Sequence, residues 1–184
     1  MVIKRLKTLF GKGEVIKESE IKRLKAMPAD EREKDLQSLL YETAFQNAAA
    51  FVHDELKKSG LFSGLGRDHF FQEILIMNFW MMDKVFSKIR KDLAERMHDH
   101  YFGCMPDIAE RTSLLSKKFK TYYSAWDDYT GHHDEFGIKV GEALFGKESK
   151  HPERQASFWI ISYADDSIKK FKKIRKELRE ADIL

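Results

Sequence analysis

The stretch Phe70–Ile89, FFQEILIMNFWMMDKVFSKI, decides the fold class. Apolar side chains fall on nearly every side of it: Phe70, Phe71, Ile74, Leu75, Ile76, Met77, Phe79, Trp80, Met81, Met82, Val85 and Phe86. It shows neither the two-residue alternation of a half-buried strand nor a break by Gly or Pro. A helix that is apolar all round has to be enclosed by other elements. Its longest uncharged run is Ile74–Met82, nine residues, against the roughly 18 that a membrane span needs. The reading is therefore a central helix of about 68–102, wrapped by the rest of the chain.

The flanking sequence supplies the wrapping. Neither Gly nor Pro occurs in Ala29–Ser59, Arg67–Phe102, Asp107–Thr130 or Glu153–Leu184. The breaks hold Gly60, Gly64 and Gly66, then Gly103 with Pro106, then Gly131 through Pro152. This spacing predicts four long helices and a shorter one over Asp134–Phe145. Asp30 with Glu33, and Asp107 with Glu110, have the spacing of an N-cap and a carboxylate three residues on. Pro152 suits the first turn of the last helix, where its missing N–H is harmless. Apolar stripes recur at helical spacing: Leu36, Leu40, Ala44, Ala48, Val52 and Leu56; then Leu115, Phe119, Tyr122, Trp126 and Tyr129; then Ile161, Ala164, Ile168, Phe171 and Leu178. The fold class is all-α: one bundle-like domain, residues 1–184, of five to seven helices.

Composition agrees and narrows the function. The chain has 184 residues, enough to bury about 70% of its unfolded surface in one core. Three Pro and 10 Gly are too few for the many turns of a β-sandwich or barrel. Lys and Arg number 33 against 30 Asp and Glu, a net charge of +3. That excess is too small to imply a nucleic-acid partner. The single cysteine, Cys104, excludes an intrachain disulfide and a cysteine zinc cluster. With no spanning segment and no secretory signal, the expected location is cytoplasmic. The basic residues gather at the ends. Residues 1–13 carry Lys4, Arg5, Lys7 and Lys12 beside Val2, Ile3, Leu6, Leu9 and Phe10. This is a basic amphipathic extension, and its chemistry allows peripheral membrane contact through residues 1–10. The C-terminal Lys and Arg cluster reads as the solvated face of the last helix.

No phosphate-binding glycine loop and no nucleophile elbow occurs. Glu95 and His98 have the Glu-x-x-His step used in di-iron bundles, a four-residue pattern that reads here as a solvated helix end. A different grouping follows from hairpin geometry. If the helices flanking Ser63 and Cys104 run antiparallel, His53 falls level with Glu73, His69 lies one turn before it, and His132 extrapolates to the same region. His53, His69, Glu73 and His132 then form a candidate set for zinc, iron or manganese, a divalent metal with N and O ligands. Glu73 motivates the grouping: a carboxylate in the most apolar helix is costly unless ligated or paired with a Lys or Arg. Tyr122 and Trp126 belong to an aromatic stripe that either packs the core or lines an apolar ligand pocket.

Lacking a complete catalytic constellation, the sequence reads as a non-catalytic helical interaction or assembly module, with a protein partner or self-association expected. The alternative is a metal- or small-ligand-binding bundle, a metal-dependent hydrolase or oxidoreductase, using the His and Glu residues between helices.

Overall fold

The computed structural model describes residues 16–58, 60–87, 108–127, 133–146 and 152–184, without the side chains of 108–114 and 152–155. Among the described residues there are six helices and no strand: α1 Glu18–Ala26, α2 Ala29–Lys57, α3 Arg67–Phe86, α4 Ile108–Trp126, α5 Asp134–Phe145 and α6 Pro152–Glu180. None is long and apolar enough to cross a membrane. Residues 1–10, Glu95, His98, Cys104, Asp107 and His132 lie outside the described residues.

Thirteen of the 20 residues of α3 are buried, from Phe70 to Phe86. No single stripe holds that many, and α3 accordingly contacts α2, α4, α5 and α6. Its described helix runs to Phe86, and residues 88–102 of the expected helix lie outside the described residues. The end is held from outside, because the Arg175 guanidinium of α6 donates to the Val85 carbonyl at 2.8 Å. A cation there suits both the unpaired carbonyls and the negative end of the helix.

The other helices bury one side each. On α2 the buried side is Leu36, Leu39, Leu40, Thr43, Ala44, Ala48 and Val52. On α6 it is Ala156, Ile160, Ala164, Ile168, Phe171, Ile174 and Leu178. Ile160 takes the place expected of Ile161, which is only half-buried. The expected cap at Asp30 is corrected as well. Pro28 is the N-cap of α2, and Asp30 and Glu31 stand in its first turn, where their charge meets the positive end of the helix. The short polar α1 was not anticipated. It is fastened by Leu24, fully buried, and by Arg23, which pairs with Glu20 at 2.9 Å and with Asp35 of α2.

A polar chain fixes α2, α3 and α6 against one another. The Asn78 side-chain amide donates to the Ile74 carbonyl at 2.7 Å, which turns its oxygen toward Asn47. Asn47 donates to that oxygen at 3.0 Å and leaves its own oxygen to accept from Lys170 at 3.1 Å. The Tyr163 hydroxyl and Ser167 Oγ lie within 3.0 and 2.7 Å of the Asn47 amide nitrogen. Every amide orientation in this chain follows from the one carbonyl that can only accept. Sliding α6 along α2 would break these bonds together.

Candidate functional site

Glu73 is buried, and its partner is Lys118 of α4. The ammonium donates to both carboxylate oxygens, at 2.5 Å to Oε2. The Glu73 side chain is 10% exposed and that of Lys118 19%. A long lysine stem thus brings a cation into the α3–α4 seam and meets the cost of the buried carboxylate. His69, one turn earlier, is exposed and directs Nε2 to the Leu144 carbonyl of α5 at 3.1 Å. His53 is exposed on α2. Among the described residues no group of three or more His, Cys, Asp or Glu side chains is placed to hold a metal ion. Of the expected set, His69 and Glu73 are each engaged by a different helix, His53 is exposed on α2, and His132 lies outside the described residues.

Tyr122 and Trp126 sit in an aromatic cluster around the buried Trp80. Trp80 stacks on Phe136 of α5 at 4.8 Å and meets Tyr122 edge-on at 5.9 Å. Trp126 packs against Trp80 at 5.4 Å and stacks on the His133 ring at 3.8 Å. His133 has a left-handed backbone, φ 58°, as the N-cap of α5. Its Nδ1 hydrogen-bonds the Trp126 carbonyl at 2.6 Å, so stack and bond offset a conformation that costs non-glycine residues. Two polar atoms here stay unsatisfied among the described residues, Trp80 Nε1 and the Tyr122 hydroxyl. Burial holds the Tyr122 hydroxyl well above the usual phenol range, and the nearby Glu73 charge adds to this.

On the outer side of the cluster Tyr123 donates to Asp83 Oδ2 at 2.5 Å. Burial raises the Asp83 carboxyl above its ordinary range, and the Tyr123 bond acts the other way. A raised folded-state value means folding favours the protonated acid. Its stabilising contribution is present at low pH and lost as pH rises through that value. Asp83→Asn should therefore raise the thermal midpoint at pH 7, since an amide oxygen still accepts from Tyr123. The advantage should shrink as the buffer is lowered through the carboxylate range. A denaturation series from pH 7 to pH 3 checks it; an advantage that grows on acidification would refute it.

Among the described residues, an exposed aromatic pair lies outside the apolar stripes. Phe158 is 79% exposed and Trp159 52% exposed, side by side on the first third of α6. The buried positions there are Ala156, Ser157 and Ile160, so both rings point away from the core-facing side. The Lys58 ammonium, at the end of α2, sits 5.8 Å from the Trp159 ring centroid. A signal existed in the sequence: the core stripe Ala164, Ile168, Phe171 extended backward passes through Ile160 and Ala156 and leaves Phe158 and Trp159 outside it.

No protein-family model matches the chain, and no curated protein and no solved structure matches it significantly.

Proposed function

We propose that the chain is a non-catalytic helical interaction module that binds a protein partner through the surface carrying Phe158 and Trp159. The supporting observation is the pair of adjacent exposed aromatic rings on a helix that has already buried an apolar side. Single exposed apolar residues are commonplace, but large aromatic rings side by side carry much of the energy where proteins meet. Lys58 beside Trp159 supplies a cationic rim of the kind that surrounds such anchors. The engagement of Glu73 by Lys118 and of His69 by a backbone carbonyl leaves the rival metal-dependent reading with fewer open ligands.

The test is Phe158→Ser combined with Trp159→Ser. Replacing exposed side chains changes stability by roughly 0.5 kcal/mol or less per site, so helicity and thermal midpoint should match the wild type. The wild type should co-purify with one stoichiometric protein partner, or a second copy of itself, that the variant fails to retain. Identical partners for both proteins would overturn the reading. So would turnover in a broad metabolite screen, or near-stoichiometric zinc, iron or manganese in untagged protein lost on Glu73→Gln.

A further inference from the structure

A second group of aromatic residues, apart from Phe158 and Trp159, surrounds a positive charge. The Lys84 ammonium lies 5.8 Å from the Trp80 ring centroid, 5.5 Å from Tyr123 and 5.8 Å from Trp126. It also bonds Asp127 Oδ1 at 3.2 Å. Significant cation–π contacts occur about once per 70–80 residues. Here three rings from two helices address one cation, with a carboxylate beside it. This is the arrangement of side chains that recognises methylated ammonium groups.

The protein's own lysine fits that arrangement incompletely. All three ring distances fall near the outer limit of about 6 Å at which a ring face attracts a cation. A primary ammonium is strongly hydrated and carries three N–H donors. Lys84 accordingly spends a bond on Asp127, an exposed residue, and stays at the rim of the rings. A methylated ammonium has no such donors to satisfy when fully substituted, is weakly hydrated, and gains more from the ring faces. Two further donors in the same cluster, Trp80 Nε1–H and the Tyr122 hydroxyl, are buried without a partner among the described residues. Buried donors of this kind are rare in native structures and call for an acceptor.

We propose that Trp80, Tyr123 and Trp126, with Asp127, form a binding site for a small methylated-ammonium compound carrying an oxygen acceptor, and that Lys84 is its internal occupant. The butylammonium stem of Lys84 is flexible and its side chain is part-exposed, so it can swing outward and leave the rings. The ammonium charge would rest among the rings beside Asp127, and the ligand's oxygen would accept from the donors that now have none. Because Lys84 competes for the rings, the apparent affinity of the wild type is lowered by the fraction of time they are vacant.

The experiment compares choline with its uncharged carbon analogue, 3,3-dimethylbutan-1-ol, by calorimetry and ligand-observed NMR, on the wild type and on Lys84→Ala. Choline should bind the wild type measurably and Lys84→Ala about tenfold or more tightly, as expected when a competing internal occupant is removed. The alcohol should bind neither comparably. Tetramethylammonium should bind more weakly than choline, since it brings no oxygen to the buried donors. Asp127→Asn should weaken choline binding several-fold. If Lys84→Ala is folded and binds choline no better than the alcohol, the proposal is wrong. Should that variant not fold, the wild type decides alone: no preference for choline over the alcohol at saturating concentration overturns the site. Neither result bears on Phe158 and Trp159.

Discussion

Lys118→Met should lower the stability of the protein by about 3 kcal/mol, the low end of the range for stranding one member of a buried ion pair. The variant keeps most of the apolar stem volume that Lys118 contributes to the α3–α4 seam and removes only the cation. Glu73 then remains at 10% exposure with both carboxylate oxygens deprived of their donor. For a chain of this size that corresponds to roughly 6–12 °C in thermal midpoint. Glu73→Leu should cost much less, because Lys118 is nearly twice as exposed and its stem lets the ammonium reach water. The double variant Glu73→Leu/Lys118→Met should recover most of the loss, since a well-packed apolar pair often equals a buried salt bridge. The cycle of four proteins isolates the coupling. If Lys118→Met is as stable as wild type, Glu73 has another source of neutralisation and the pair is incidental.

Helix positions are legible in the sequence and the partner of Glu73 is not, for one physical reason. Helix existence depends on periodicity along one chain. The all-round apolar character of Phe70–Phe86, the Gly and Pro breaks, and the position of Pro152 at the start of α6 are all local properties. Partner choice depends on which side chains face each other across a seam. Glu73 announced that it needed a counterpart, and the hairpin turn near Cys104 gives a height for it. Arithmetic with a sum of about 209 puts residue 136 level with Glu73, whereas the counterpart is Lys118, 18 residues away. The polar chain through Asn47, Asn78 and Ser167 was illegible for a related reason. Each residue alone looks like an ordinary polar position on a helix, and only the meeting of α2, α3 and α6 turns three such positions into one network. Phe158 and Trp159 were legible in principle, since they depart from a stripe the sequence already displays.

A close approach of α5 to α6 yields the second large effect, at a residue whose importance no periodicity reveals. Gly137→Ala adds one methyl group to the side of α5 that faces α6. A Cβ built there would lie 2.7 Å from Ser157 Cβ, 2.9 Å from Ile161 Cδ1 and 3.0 Å from the Ser157 carbonyl oxygen. The Ile161 methyl is the far end of a flexible side chain and can turn aside. Ser157 cannot, because its neighbours Ala156 and Ile160 are fully buried and any shift of its backbone moves α6 off the core. Alanine would otherwise improve helix propensity by up to about 1 kcal/mol, so the measured change is overpacking minus that gain. Inserting a methylene-sized group into a packed core typically costs about 1–3 kcal/mol, and with two of the three contacts on a fixed residue the upper half of that range is expected. The thermal midpoint should fall by several degrees, with α5 and α6 losing protection from amide exchange before α2. Two companion proteins make the attribution specific. Gly64→Ala places its methyl in open space and should be neutral or stabilising by a few tenths of a kcal/mol, through the unfolded chain alone. Adding Ser157→Gly to Gly137→Ala removes the Cβ contact but leaves the carbonyl contact, so it should restore part of the loss and not all of it. A Gly137→Ala protein as stable as wild type would mean that α5 and α6 are further apart in solution than 2.7 Å from an added methyl to Ser157 allows.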